Sequence, residues 1–284
     1  MKRSLERRKR GIQWGLHSRL EDLDFADDLC ILAQRHSDMK EKLIALNDSA
    51  RQVGLKVNVK KTKEMRINVN GRERLEMDGR VIEEVDSFVY LGSVVNVSGG
   101  AESDVAGRIR KAYGAFSQLY TIWKNNSISK RTKLRIFNSN VISVLLYGSE
   151  TWKVTADISK KLQVFVNRCL RRIMGVWWPE VMSNEELWHI TGQLPINTEI
   201  KKRKWKWIGH TLRKGEGAVE REALEWNPQG RRKRGRPKNS WRRTVESEIA
   251  GTRMTWREVK RLAEDRGEWR LFVDALCFRG SDRT

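Results

Sequence analysis

Alternating apolar and polar positions dominate the first hundred residues of this chain, a pattern typical of short strands. Residues 20–32 carry apolar side chains on both sides of Asp27 and Asp28, which predicts two strands joined by a tight acidic turn. The next segment predicts a helix that begins at a Ser37 cap and ends at Gly54. Its apolar face consists of Met39, Leu43, Leu46, Ala50 and Val53.

Further short strands are predicted up to residue 97. Residues 55–59 place apolar side chains on one face and Lys56 and Lys60 on or beside the other, so that strand has a basic face. The other predicted strands are 65–69, 75–82 and 88–95, with turns at Asn70-Gly71 and Asp78-Gly79. This half of the chain therefore mixes strands with one helix.

Beyond residue 98 the apolar spacing changes to that of amphipathic helices. Stripes run from Val105 to Leu119, from Leu134 to Leu145 behind a Ser129 cap, and most clearly from Leu162 to Met174. Ser183 with Glu186 predicts a further capped helix. The pattern as a whole predicts an α+β fold with a basic arm at 1–15, a strand-rich region at 16–97, a helical bundle at 98–198 and a basic tryptophan-rich region at 199–284.

Charge limits the possible functions of this fold. The 284 residues include 57 Lys and Arg against 36 Asp and Glu, a net charge of +21. Such a surplus argues against an ordinary enzyme with a neutral substrate and favours a polyanionic partner, most often nucleic acid. Residues 201–284 alone carry +12, whereas residues 21–30 carry −5. These two windows are expected to have different tasks.

The basic C-terminal region combines six tryptophans with lysine and arginine runs. Cationic side chains neutralise phosphates and aromatic rings can stack on bases, although apolar neighbours also suit these tryptophans to a small core. The sequence Arg234-Gly235-Arg236-Pro237 has the core of an AT-hook, which enters an A·T-rich minor groove, and equally suits a charge run or nuclear-import signal. The predicted nucleic-acid contacts here are Lys204, Trp207, Arg231, Arg232, Arg234, Arg236 and Lys238.

Three widely spaced cysteines favour a reducing compartment over a disulfide framework. The basic start of the chain is not followed by an apolar segment, and the longest apolar stretch is too short to cross a bilayer. The basic segments also lack an apolar face suited to a membrane surface. An intracellular location, in nucleus or cytoplasm, is therefore expected.

Asp27 and Asp28 are the strongest candidates for chemistry. Hard carboxylate oxygens at a turn suit Mg²⁺ or Mn²⁺, and two such ions can support phosphoryl transfer. A complete site needs a further carboxylate from a neighbouring strand. The alternative is that Asp-Asp is simply a favourable turn sequence.

The acidic turn is the first of several motifs that follow one another along the chain. Phe25-Ala26-Asp27-Asp28 is followed in order by Gly54-Leu55-Lys56-Val57-Asn58 with Lys61-Thr62-Lys63, and then by Phe88-Val89-Tyr90-Leu91-Gly92. This ordered set resembles the end of the palm of LINE-type non-LTR retrotransposon reverse transcriptases. The resemblance continues through Tyr147-Gly148-Ser149-Glu150-Thr151-Trp152, Trp207-Ile208-Gly209-His210 and the basic run that ends at Pro237.

The resemblance implies a partial polymerase palm, an α-helical thumb and a basic C-terminal region. It assigns Asp27 and Asp28 to metal binding and catalysis, and Lys61 to the site of the incoming nucleotide, where a solvated lysine is the alternative. Tyr90 and Gly92 would belong to the segment that grips the primer, although core packing is an alternative for Tyr90. Lys56 and Lys60 would contact nucleic acid. The implied partners are an RNA template, a DNA primer or duplex DNA, and a deoxynucleoside triphosphate in the full-length enzyme.

The resemblance is incomplete at the front, because the residues before Asp22 are too few for fingers or the first palm aspartate. Two functions follow as expectations. One is part of an RNA-directed DNA polymerase whose catalysis needs the missing elements. The other is a nucleic-acid-binding remnant without catalysis, which the absent aspartate favours for this chain taken alone.

Overall fold

The computed structural model describes residues 10–13, 18–69, 71, 73–226 and 240–278. These residues form two compact units. The N-terminal unit contains residues 10–99 with 225–226, and the C-terminal unit contains residues 100–224 with 240–278. The sequence pattern predicts a boundary at 198/199, whereas the structure keeps the described residues on both sides of it in one unit.

The N-terminal unit contains one helix, α1 (His36–Gln52), and five strand pairs. The antiparallel pairs are β1 (Ile12–Gln13) with β2 (Arg19–Leu20), β3 (Asp22–Phe25) with β4 (Asp28–Ile31), β6 (Glu76–Met77) with β7 (Arg80–Val81), and β9 (Ser87–Tyr90) with β10 (Ser93–Asn96). A parallel pair joins β5 (Lys63–Glu64) to β8 (Glu83–Glu84). A small core of Leu43, Leu75, Met77 and Ile82 holds α1 against the β6–β7 hairpin.

Several local predictions for this unit are corrected by the structure. Arg35, not Ser37, is the N-cap of α1, and no side chain caps the helix. The predicted strand 55–59 is irregular, although Val57 and Val59 still pack against the small core. The predicted strand 65–69 is also absent, since the nearest pairing is at β5. The turn at Asp78-Gly79 is confirmed, whereas Asn70 lies outside the described residues.

The described part of the C-terminal unit is helical. Its α-helices are α2 (Glu102–Gln118), α3 (Tyr120–Lys124), α4 (Lys130–Phe137), α5 (Ser143–Leu145), α6 (Ala156–Met174), α7 (Asn184–Thr191), α8 (Ile196–Leu212), α9 (Val219–Glu225), α10 (Trp241–Ala250), α11 (Trp256–Leu262) and α12 (Arg266–Phe278). A π-helical turn (Asn138–Ile142) joins α4 to α5, and a 3₁₀ turn (Ser149–Thr151) follows α5. Among the described helices, none is both long and apolar enough to cross a membrane.

Helix starts in this unit follow local capping chemistry. Ser129 accepts a hydrogen bond from the Thr132 N–H, and Ser183 accepts one from the Glu186 N–H, so both predicted caps are confirmed. At the end of α6, Gly175 adopts a left-handed conformation with φ of 80°, which favours glycine.

Two apolar clusters hold the C-terminal unit together. The first is built around Phe137, Leu145, Leu162, Leu170 and Leu187, and it buries the predicted stripe of α6. The second is built around Trp205, Ile208, Val245, Val259 and Trp269. Because the Trp205 and Trp269 rings are buried, the interpretation of these two tryptophans as core residues is confirmed.

Candidate nucleic-acid interface

The acidic hairpin, residues 22–31, presents the two aspartates singled out by sequence. Phe25 pairs with Asp28, so the turn consists of Ala26 and Asp27, and Asp28 is the first residue of β4. The predicted centre at Asp27-Asp28 is therefore wrong by one residue. Ala26 adopts φ of 55°, an uncommon conformation for alanine that this two-residue turn requires. Both aspartates are exposed to solvent.

The carboxylates of this hairpin are divided between its two faces. Directly opposed residues of an antiparallel pair share a face, and successive residues alternate. The observed register therefore places Asp28 on the face of Leu23 and Phe25, and places Asp22 and Asp24 on the opposite face. Burial and the negative charge of Asp24 raise the pKa of Asp22, while Lys42 opposes the shift.

This arrangement does not fit a complete divalent-metal site. In the described ranges, no group of three or more His, Cys, Asp or Glu side chains could hold a metal ion. Asp27 and Asp28 alone would offer Mg²⁺ fewer protein ligands than a two-ion phosphoryl-transfer site uses.

Lys42 fixes the base of the acidic hairpin. Its buried ammonium group donates hydrogen bonds to the carbonyl oxygens of Glu21, at 3.1 Å, and Leu32, at 2.7 Å, and it pairs with the Glu21 carboxylate. Although burial opposes the shift, the hydrogen bond from Lys42 and those from the backbone of Gly11 and Arg10 lower the pKa of Glu21. The hairpin is thereby anchored to α1 at both of its ends.

A second hairpin, residues 87–96, contains Tyr90 and Gly92. The turn between its strands is Leu91-Gly92, with φ of 48° and 81°, and a left-handed conformation at both positions matches the twist of a two-residue hairpin. The Tyr90 hydroxyl donates a 3.1 Å hydrogen bond to the Leu23 carbonyl oxygen of the acidic hairpin. Burial first, and then the nearby Cys30, Asp28 and Asp24, raise the pKa of Tyr90.

The predicted lysines of the N-terminal unit lie at its surface. Lys56, Lys60 and Lys61 are exposed and belong to an irregular segment instead of a strand. The backbone N–H of Lys61 donates to the Asn58 carbonyl oxygen at 3.0 Å, which closes a turn. Their side chains are available to phosphates, but the regular basic face expected from the alternation is absent.

The structure buries Lys204, which corrects its predicted contact, and leaves Trp207 half-buried, so that contact stays a prediction. Lys204 is buried, and its ammonium group lies 2.7 Å from the Glu248 carboxylate, which also accepts a 2.6 Å hydrogen bond from the Trp205 indole. Trp207 packs edge-on against Trp241, with ring centroids 6.1 Å apart. Arg231, Arg232, Arg234, Arg236 and Lys238 lie outside the described residues.

A second aromatic feature was not predicted from the sequence. Trp177 and Trp178 expose 61% and 91% of their surfaces, directly after the basic helix α6. Exposed aromatic rings near cationic side chains can stack on nucleic-acid bases. The signal in the sequence was a tryptophan pair next to Arg168, Arg171 and Arg172.

Comparison with known proteins shows similarity to one family model and to a transposon-derived relative. Residues 115–147 match a family described as a Domain of unknown function (DUF6451). Over 267 residues the chain is 28% identical to a protein of Caenorhabditis elegans whose name describes it as transposon-derived. That similarity covers 88% of this chain and 94% of the relative, and it gives the chain a transposable-element context.

Proposed function

We propose that this chain is the end of the palm, the thumb and the C-terminal region of a LINE-type non-LTR retrotransposon reverse transcriptase, and that it binds primer–template nucleic acid. The observation that carries the proposal is the hydrogen bond from Tyr90 to Leu23. It joins the two hairpins whose sequences, F-A-D-D and F-V-Y-L-G, gave the resemblance. The transposon-derived relative supports the same origin.

The exposed groups of the N-terminal unit suit this partner. Lys56, Lys60 and Lys61 can neutralise phosphates, and release of counterions then favours binding. Phe25 and Val89 expose 65% and 63% of their surfaces on the two joined hairpins. These apolar side chains can contact sugars and bases.

Binding without nucleotide addition is the activity that we assign to the chain alone. In reverse transcriptases the bound metal ions activate the primer 3′-oxygen and stabilise the leaving pyrophosphate. The described carboxylates do not fit such a site, so we derive no catalytic step from Asp27, Asp28 or Lys61 here. Polymerisation is the second candidate function, supported by the sequence of the acidic turn.

The test is fluorescence anisotropy of the purified chain with a labelled RNA template–DNA primer, combined with primer extension in Mg²⁺ and in Mn²⁺. We expect the logarithm of the association constant to fall linearly with the logarithm of the salt concentration. The slope should grow by about 0.7–0.9 for each phosphate contacted. We expect no extension. Absent or salt-independent binding would contradict the proposal.

Primer extension also separates the two candidate functions. Incorporation that disappears in Asp27→Asn but persists in Asp48→Asn, an exposed aspartate of α1, would overturn the assignment of binding alone. It would establish the polymerase function for this chain.

A further inference from the structure

A groove in the C-terminal unit lies outside the two hairpins that carry the proposed function. It has a volume of about 520 Å³ and is formed by the last turns of α6, the residues that follow it and the start of α7. Its lining includes Val164, Arg168, Arg171, Arg172, Val176 and Trp177. This volume lies in the range of sites that hold small organic groups.

The charge of the groove favours an anion. Three guanidinium groups line it, and no lining residue among those described is acidic. Glu180, Glu185 and Glu186 lie nearby in the chain but outside the lining. The groove therefore concentrates positive charge in a chain that is already strongly basic.

The three arginines differ in how they are held. Arg171 donates hydrogen bonds to the Met182 carbonyl oxygen, at 3.0 Å, and to the Asn184 side chain, at 2.9 Å, so it forms part of the wall. Arg172 is exposed and lies over the Tyr120 ring, 5.3 Å from its centroid, and a guanidinium group has several N–H donors for further acceptors. Arg168 is exposed and has no hydrogen-bond or ion-pair partner among the described residues.

The aromatic wall adds a preference that charge alone does not give. Trp177 lines the groove while exposing 61% of its surface, so part of its indole is open to a partner. A nucleic-acid base can stack on an exposed indole only when it is unpaired, because in a duplex both of its faces are covered. A guanidinium group beside an aromatic ring suits the phosphate next to a stacked base.

We propose that this groove binds single-stranded nucleic acid, with an unpaired base against Trp177 and the flanking phosphates at Arg168 and Arg172. The inference rests on the proposed function in requiring a nucleic-acid partner. The groove adds a site for an unpaired strand in the C-terminal unit, whereas the acidic hairpin belongs to the N-terminal unit.

The chain itself provides matched controls for the test. Trp178 is adjacent to Trp177 and 91% exposed but does not line the groove. Arg131 is an exposed arginine of α4 that also lies outside the lining. The comparison is therefore Trp177→Ala with Trp178→Ala, and Arg168→Gln with Arg131→Gln, all in the full chain. Circular dichroism confirms folding, which exposed positions should not disturb.

The probes are a labelled twelve-nucleotide oligothymidylate, an abasic strand of the same length and charge, and a duplex of the same length. We expect the wild-type chain to prefer oligothymidylate over the abasic strand by at least about fivefold. Trp177→Ala should abolish that preference, whereas Trp178→Ala should retain it. For the single strand, Arg168→Gln should reduce the slope of the logarithm of the association constant against the logarithm of the salt concentration by about 0.7. Arg131→Gln should reduce this slope less.

The outcomes separate this inference from the proposed function. If Trp177→Ala and Trp178→Ala have equal effects, or if duplex binding falls as much as oligothymidylate binding, the groove proposal is overturned while primer–template binding stands. If the wild-type chain binds none of the three probes and no primer–template, both proposals fail. Loss of the base preference in Trp177→Ala alone supports the groove.

Discussion

The hydroxyl of Tyr90 donates its hydrogen bond to the carbonyl oxygen of Leu23, 67 residues earlier in the chain. The bond joins the second hairpin to the strand that leads into the acidic turn. The position of Asp27 and Asp28 therefore depends on a side chain of the F-V-Y-L-G segment. Tyr90 therefore orients the acidic hairpin, in addition to the core packing that the sequence suggested for it.

Replacing Tyr90 by phenylalanine tests this link. We expect Tyr90→Phe to destabilise the N-terminal unit by about 0.5–1.5 kcal/mol, because the substitution removes one hydrogen bond and keeps the ring. Affinity for primer–template should fall in parallel. Tyr113→Phe is the control, since that tyrosine is 57% exposed on α2. Equal urea midpoints for Tyr90→Phe and the wild type would refute the dependence.

Lys42 is expected to be essential for the acidic hairpin. Lys42→Met leaves the carbonyl oxygen of Leu32 without its donor, at a cost of about 1–3 kcal/mol for an unsatisfied group, whereas the Glu21 carbonyl oxygen keeps the hydrogen bond from the Leu32 N–H. Hydrogen exchange should therefore become faster in residues 22–31. Lys40→Met, at an exposed position of the same helix, should leave the exchange unchanged.

The effect of Lys42 also depends on pH. The folded-state pKa of Glu21 lies below its ordinary value of 4.5, so the carboxylate stabilises the fold above that pH, and this contribution is lost as pH falls through the lowered pKa. The difference in stability between the wild type and Lys42→Met should therefore shrink in acid. A difference that grows below pH 4.5 would show that the Glu21 pair does not contribute.

Helix α8 contains a glycine that has no room for a side chain. A Cβ atom at Gly209 would overlap the indole of Trp269, whose N–H donates a 3.0 Å hydrogen bond to the Trp205 carbonyl oxygen. We expect Gly209→Ala to destabilise the C-terminal unit by about 1–3 kcal/mol. Gly114→Ala in α2 meets open space and should instead stabilise by up to about 1 kcal/mol. Thermal unfolding of the two variants should therefore shift in opposite directions.

The thiol of Cys169 gives a test at alkaline pH. Burial raises its pKa from 9.0 to about 12. Between these values the unfolded chain loses the thiol proton and the folded chain retains it, so stability should decrease as pH rises above 9. Cys169→Ala should flatten this decrease in urea unfolding measured from pH 7 to 10. An unchanged slope would mean that other groups account for the alkaline loss.

Sequence patterns predicted structure best where one local rule decides it. The stripe of α6 is set by its own spacing, and the Ser129 cap by a hydrogen bond from a backbone N–H three residues later. The strand predicted at 55–59 is absent from the structure. Alternation indicates which side chains face the core, and an irregular segment can pack Val57 and Val59 against the core equally well. Pairing requires a partner strand, which composition does not specify.

The errors within the candidate site have different causes, and long-range pairing is one of them. Lys204 belongs to a run that suggests a solvated surface, yet its partner Glu248 comes 44 residues later. The acidic turn was predicted one residue too late. Its first position is a left-handed Ala26, which is an exception to the preference for glycine, asparagine or aspartate at such positions. The exposed Trp177 was missed because the same residue type is buried elsewhere in the unit.

The register of the acidic hairpin has an evolutionary consequence. Since side chains alternate between faces, inserting or deleting one residue between Asp24 and Asp28 would move one strand's entire set of side chains to the other face. Such a change would exchange the environments of Asp28 and Leu29 without altering a single residue type. Length drift at this turn should therefore be far more damaging than point substitution, and related chains that retain its spacing would preserve the separation of their carboxylates.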